Sequence, residues 1–123
     1  MAGEGDPGVD IFGMDVARYG AFASDDQYLR ETTAQFYARR FVIAYPNEEL
    51  PAGRPLKTTP SYTAQKALGA RFGVVWGMES PQYFATDEPD FVELPSLRRS
   101  AADRFVAAEV AATRSAAGLL DTG

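Results

Sequence analysis

Few residues in this chain can do chemistry, and two absences narrow them further. Neither cysteine nor histidine occurs among the 123 residues, which removes thiolate nucleophiles, the commonest general base and the commonest metal ligand. Catalysis would have to rest on carboxylates, Tyr, Lys, Arg or Ser. Glu48 and Glu49 are adjacent, so on turn or extended backbone their side chains diverge and do not share a proton. Asp87, Glu88 and Asp90 lie in "TDEPD", without the alternate acids, glycine and closing glutamate of a calcium loop; a solvated acidic loop is expected there. Lys57 and Lys66 lack apolar flanks that would desolvate an ammonium. Gly3, Gly5 and Gly8 have dinucleotide-fingerprint spacing, but that fingerprint needs a strand before it and a helix opening from it. Only Met1 and Ala2 precede it, and Pro7 lies inside it. Spacing alone shows neither an active site nor a metal site.

The bulk composition is that of an ordinary folded domain: 46% hydrophobic residues and 24% charged ones, well above the apolar content of disordered chains. Seventeen acids against twelve bases give a net charge of −5, and the only paired bases are Arg39-Arg40 and Arg98-Arg99, so neither nucleic acid nor anionic membrane is an expected partner. The N-terminus has no basic start or apolar run of signal-peptide length, and no membrane-spanning run occurs. Cysteine absence agrees with a reducing compartment; a cytoplasmic protein is expected.

Two helices should position whatever the chain presents. In "SDDQYLRETTAQFYARRF", over about 24–41, Ser24 can cap with Gln27 three residues on, Asp25 and Asp26 sit in the first turn, and Arg39 and Arg40 sit in the last. Tyr28, Leu29, Thr32, Phe36 and Tyr37 recur at helical spacing and read as a core-facing stripe. A second helix, about 100–116, opens near Ser100 and Asp103, turns Phe105, Val106 and Val110 inward, and has Gly118 as its cap. A short helix, "SYTAQKALG", runs from Ser61 to Gly69 between them. Strands are expected at about 11–19, where apolar residues alternate, at 71–77 and at 82–85, the last two joined through "MESP". "FVIAY" either prolongs the first helix or forms a short strand. The fold class is α+β.

Half of the eight prolines fall within "YPNEELPAGRPLKTTP". Each fixes a turn or an extended step, so the stretch reads as a rigid connector from the first helix to the strands. Its charges read as turn and interface charges.

"GMDVARYG", "YARRFVIAYPNEELPAGRPLKTTPSY", "LGARFGVVWG", "SPQYFA" and "PSLRRSAADRFVAAEVAATRSAAGLLD" stand in the order of similar segments in the dimethylglycine and sarcosine dehydrogenase family, which includes the dimethylglycine oxidases. The resemblance runs from about Asp6 to Thr122. It implies a larger flavoprotein with an FAD-binding amine-oxidising domain, a central domain and an aminomethyltransferase-like folate domain. Residues 1–22 would be the tail of the first, 23–95 the central domain and 96–123 the opening of the third. "FATDEPD" departs from the Pro/Gly-rich turn expected after "YFA". The fingerprint, the flavin-linking histidine of many members and the folate-binding residues would lie elsewhere, so no catalytic, cofactor-binding or metal-binding residue transfers to this chain. FAD and tetrahydrofolate would be bound by the parent, not by this chain alone.

Asp15, Arg18, Arg39, Arg40, Glu48, Glu49 and Arg54 are the interface candidates toward the missing FAD and folate domains. The apolar "LLDTG" ending suggests a truncated chain, inactive by itself and marginally folded, with the helix from Ser24 and the strand Phe72 to Trp76 most ordered. The alternative is a stand-alone, non-catalytic module that docks on a partner subunit.

Overall fold

In a computed structural model of the chain, residues 8–118 are described. The glycine fingerprint before Gly8 and the apolar stretch from Leu119 lie outside them. The elements are α1 (Asp26–Ala38), α2 (Tyr62–Ala67), β1 (Ala70–Val75), β2 (Met78–Phe84) and α3 (Asp103–Ser115), preceded by three short 3-10 turns. This is the expected small α+β arrangement, with several local corrections.

The expected strand at 11–19 is instead two 3-10 turns, Phe12–Met14 and Val16–Tyr19, followed by a third at Ala21–Ser24. Its alternation was real, but among the described residues no neighbouring strand lies beside it to satisfy extended backbone. Local bonds such as Met14 N–H to the Ile11 carbonyl and Arg18 N–H to the Asp15 carbonyl satisfy it instead.

The cap of α1 is Asp25, not Ser24: its carboxylate accepts from the Tyr28 amide at 2.7 Å. Ser24 belongs to the preceding 3-10 turn, and the helix stops at Ala38 with Arg39 as its C-cap. Of the expected apolar stripe, Tyr28 and Thr32 are half-buried, whereas Leu29, Phe36 and Tyr37 are exposed. The helix turns a mixed polar face to the rest of the chain. Gln35 Oε1 accepts from the Ala52 amide at 3.1 Å, and Glu31 Oε2 accepts from the Gly53 amide at 2.9 Å. Gly53 has φ +69, and a Cβ there would lie 2.7 Å from the Tyr28 ring, so the connector can approach α1 this closely only with glycine.

The strands pair antiparallel from Ala70 opposite Phe84 to Val75 opposite Met78. The reversal is Trp76-Gly77 instead of "MESP". Both residues have positive φ, +52 and +77, as a two-residue type I′ hairpin requires, and Gly77 supplies one at no steric cost. The register slips between Arg71 and Phe72, whose partners are Tyr83 and Pro81; Gln82 is therefore the bulged residue. The proline-rich connector adds a rung of its own. Lys57 donates to the Gly77 carbonyl at 3.1 Å and accepts from the Glu79 amide at 2.9 Å, a parallel bridge to Met78.

Against the far end of the hairpin lies the apolar core: Tyr83, Ala85 and Ala102 with Phe91 and Phe105. Tyr83 and Phe105 stack with centroids 6.0 Å apart, and Phe91 meets Phe105 edge-on at 5.0 Å. The α3 helix begins at Asp103 without a side-chain cap bond and ends at Ser115, with Ala116 and not Gly118 as its C-cap. Phe105 does face inward, but Val106 and Val110 remain over 40% exposed. Glu109 accepts from the Phe84 amide at 2.7 Å and fastens the helix to β2.

Candidate functional site

Arg54 is the centre of the most connected polar group. The connector carries it over the hairpin, where its Nε donates to Glu79 Oε1 at 2.9 Å and its Nη2 to Glu79 Oε2 at 2.7 Å. Nη2 also donates to the Phe72 carbonyl at 2.8 Å, and Nη1 reaches Glu49 Oε2 at 3.3 Å. This is a bidentate, charge-assisted pair, the strong class of such bonds. Glu79 is 3% exposed and the Arg54 side chain 18%. The bond to Glu79 holds the arginine pKa above its ordinary value, with burial opposing it and Glu49 adding to it.

A hollow of about 410 Å³ opens beside this pair, lined by Glu49, Arg54, Tyr62, Lys66, Phe72 and Glu79 among others. Tyr62 and Phe72 form its aromatic floor at 4.6 Å, and Lys66 lies 5.8 Å from the Tyr62 ring. Arg71, on the same rim, is turned to backbone: it donates to the carbonyls of Phe91 and Pro89 at 2.8–3.2 Å. The carboxylates and guanidiniums of the hollow are thus occupied with one another and with carbonyls. Its chemistry is that of a strut that holds connector to hairpin.

The seven sequence candidates fall into separate places. Arg39 Nη2 meets Glu48 Oε1 at 2.6 Å, while Glu48 Oε2 accepts from the Tyr45 amide at 3.1 Å; this brings α1 and the connector together. Arg54 and Glu49 form the strut. Arg40 lies over the rings of Tyr37 and Phe41. Asp15 lies between the first two 3-10 turns and Arg18 within the second, where its guanidinium bonds the Tyr19 hydroxyl and Tyr19 packs 5.6 Å from Trp76.

Sequence reasoning missed the partner that matters, Glu79, because "MESP" read as a turn. Its signal was slight: an acid within a run that pairs with β-favouring residues. Also missed was Glu93, whose Oε2 accepts from the Tyr83 hydroxyl at 2.9 Å and whose Oε1 accepts from Ser100. Burial first, and then the bond to Glu93, push the Tyr83 pKa up to about 12. Among the described residues there is no group of three or more acids able to hold a metal, and no helix is long and apolar enough to cross a membrane.

Residues 4–59 match the family model described as FAD dependent oxidoreductase central domain. This part of the chain belongs to that family. The central-domain segment contains α1, the connector and Arg54, and stops short of Glu79. Over 117 residues, 95% of this chain and 14% of the relative, it is 28% identical to dimethylglycine dehydrogenase, mitochondrial, of Rattus norvegicus. It is 31% identical over 80 residues to 4-methylaminobutanoate oxidase (formaldehyde-forming) of Paenarthrobacter nicotinovorans, covering 65% of this chain and 10% of that protein. A third relative, the pyruvate dehydrogenase phosphatase regulatory subunit, mitochondrial, of Mus musculus, is 30% identical over 90 residues, 73% of this chain and 10% of that protein. The chain spans about a tenth of the length of these curated relatives. FAD belongs to the family by description, but the described central-domain residues hold no strand leading through a glycine-rich turn into a helix, so they do not form a dinucleotide cradle.

Proposed function

We propose that this chain is a stretch of an FAD-dependent oxidoreductase acting on N-methylated amino acids such as dimethylglycine or sarcosine, and that it serves there as a joint. In this reading residues 1–22 end the flavin domain, 23–95 form the central domain and 96–123 begin a folate-binding, aminomethyltransferase-like domain. The parent oxidises the N-methyl group and passes the one-carbon unit to tetrahydrofolate; the isolated chain is inactive and cytoplasmic. The observation that carries the reading is the similarity to dimethylglycine dehydrogenase across 95% of the chain. The Arg54 strut supports the role of joint, because its charged groups are consumed in bracing the connector.

The test has two arms. Purified chain mixed with FAD and desalted should retain no flavin absorbance, and should not turn over dimethylglycine, sarcosine or 4-methylaminobutanoate with an artificial electron acceptor; either activity overturns the inactive joint. Sequencing outward from the coding region should find a dinucleotide fingerprint on one side and a folate domain on the other, and fractionation of the source cells should find the product in the cytosol. A second reading, a non-catalytic subunit that docks on a partner, draws on the regulatory subunit among the relatives. A gene with its own start and stop signals and neither neighbour would favour it.

A further inference from the structure

The hairpin reversal holds a conformation that one of its own residues does not favour. Among the described residues two besides glycine have positive φ, Asn47 at +58 and Trp76 at +52. Asparagine adopts that region readily, whereas for a bulky side chain it is an outlier that persists only where the surroundings impose it. Strand pairing does not ask for tryptophan, since the reversal it favours is the one Asn-Gly makes best. Nor does burial fix the residue: Trp76 is 64% exposed.

The surroundings that impose it come from the 3-10 segment before α1. Tyr19, at the end of one turn, packs its ring 5.6 Å from the Trp76 ring. Phe22, in the next turn, lies so close to the second reversal residue that a Cβ at Gly77 would sit 3.0 Å from its ring. Both rings are half-buried and held from behind. The Arg18 guanidinium lies 4.4 Å over Tyr19, Phe22 meets Tyr28 of α1 edge-on at 5.8 Å, and Lys57 Nζ is 4.9 Å from the Phe22 centroid. The two rings therefore pinch the two reversal residues from a segment that α1 anchors.

The reversal is also one rung from the strut. The Gly77 carbonyl accepts from the Lys57 amide, the Lys57 carbonyl accepts from the Glu79 amide, and Glu79 holds Arg54. A two-residue reversal that leaves the left-handed region splays its strands, which takes the Gly77 carbonyl away from Lys57.

We propose that Tyr19 and Phe22 form a clasp that keeps Trp76 left-handed, so that the clasp and the Lys57 rung open and close together. The fold thus contains a conformational link: displacing the segment before α1 loosens the connector where it joins the hairpin. This link stands independently of the enzymatic reading.

Amide exchange of the full chain, followed by NMR, tests it. Tyr19→Ala and Trp76→Asn delete the same ring contact, but only the first leaves a strained tryptophan behind. Tyr19→Ala should therefore speed exchange of the Lys57 and Glu79 amides at least about tenfold. The Ala85 amide, bonded to the Gly69 carbonyl at the far end of the hairpin, should be unchanged. Trp76→Asn should leave all three protected, because asparagine accepts the left-handed region. Far-UV circular dichroism checks that each variant folds; if Tyr19→Ala does not, the wild type still decides. Trp76 is the only tryptophan, so its quenching by acrylamide should rise in urea, below the global transition, with the same slope as exchange of the two rung amides. Rung amides indifferent to Tyr19→Ala, equal loosening by Trp76→Asn, unequal slopes, or a rung that opens only with global unfolding overturns the proposal.

Discussion

The hairpin with α3 and the helix α1 with its connector are both helix-against-backbone units, but different forces join them. In the first, three rings interlock and one carboxylate, Glu109, fastens the helix to β2. In the second, beside the contact of the Tyr28 ring with Gly53, the bonds are polar: Gln35, Glu31 and the Arg39–Glu48 pair reach across, and Arg54 ties the connector onward to Glu79. Apolar burial is non-directional, so the first unit depends on volume. The second depends on each polar partner being in place, since a buried charge left alone costs more than the pair contributes.

The largest effect should come from Arg54→Ala. It strands Glu79 at 3% exposure and should cost about 3 kcal/mol, read by urea denaturation. Replacing both partners, Arg54→Met with Glu79→Leu, should recover most of that loss; if the double variant is no better than the single one, the directional account of the second unit fails. Phe105→Ala should follow, at about 2 kcal/mol for a half-buried ring with two aromatic neighbours. Hydrogen exchange should then rise at the Phe84 amide while the Gly53 amide stays protected, which is the clearest separation of the units.

Gly53→Ala comes third. It combines a left-handed residue with a clash 2.7 Å from the Tyr28 ring and should cost about 1–2 kcal/mol, loosening the Gly53 amide first. A subtler probe of the ring-locked unit is alkaline pH. Tyr83 is raised from 10.0 to about 12, so folding favours its protonated form. That contribution is fully present below pH 10 and is lost as pH rises through 12. Difference absorbance should show one of the six tyrosines ionising late, and Tyr83→Phe should remove that late step. The smallest effect is expected at Arg104, which meets Glu88 at 2.6 Å with both side chains about half exposed. Arg104→Gln should cost well under about 1 kcal/mol in 0.5 M salt or without it.

Legibility followed the range of the interactions. The helices were readable because their signals are local: an acid in each first turn, Asp26 and Asp103, and apolar residues at helical spacing. Their boundaries moved by only a few residues. The hairpin was readable as two β-favouring runs, but its turn was not, since Trp76 is an unusual residue to hold φ +52. The strand expected at 11–19 shows the limit: alternation invites a strand, yet only a neighbour can complete one. Candidate residues fared likewise. Arg54 and Glu49 stood out in the connector, whereas Glu79 was hidden, because its charged partner is Arg54, twenty-five residues away.

By itself the sequence determined what chemistry this chain lacks, since residues that are absent cannot be folded into place, and it determined the helices and the rigidity of the connector, which reside in local backbone preferences. Tertiary structure alone decided that the connector is a strut. The choice between a free arginine able to hold a ligand and one locked to a buried glutamate depends on which side chains share a low-dielectric space, and that is a property of the packing.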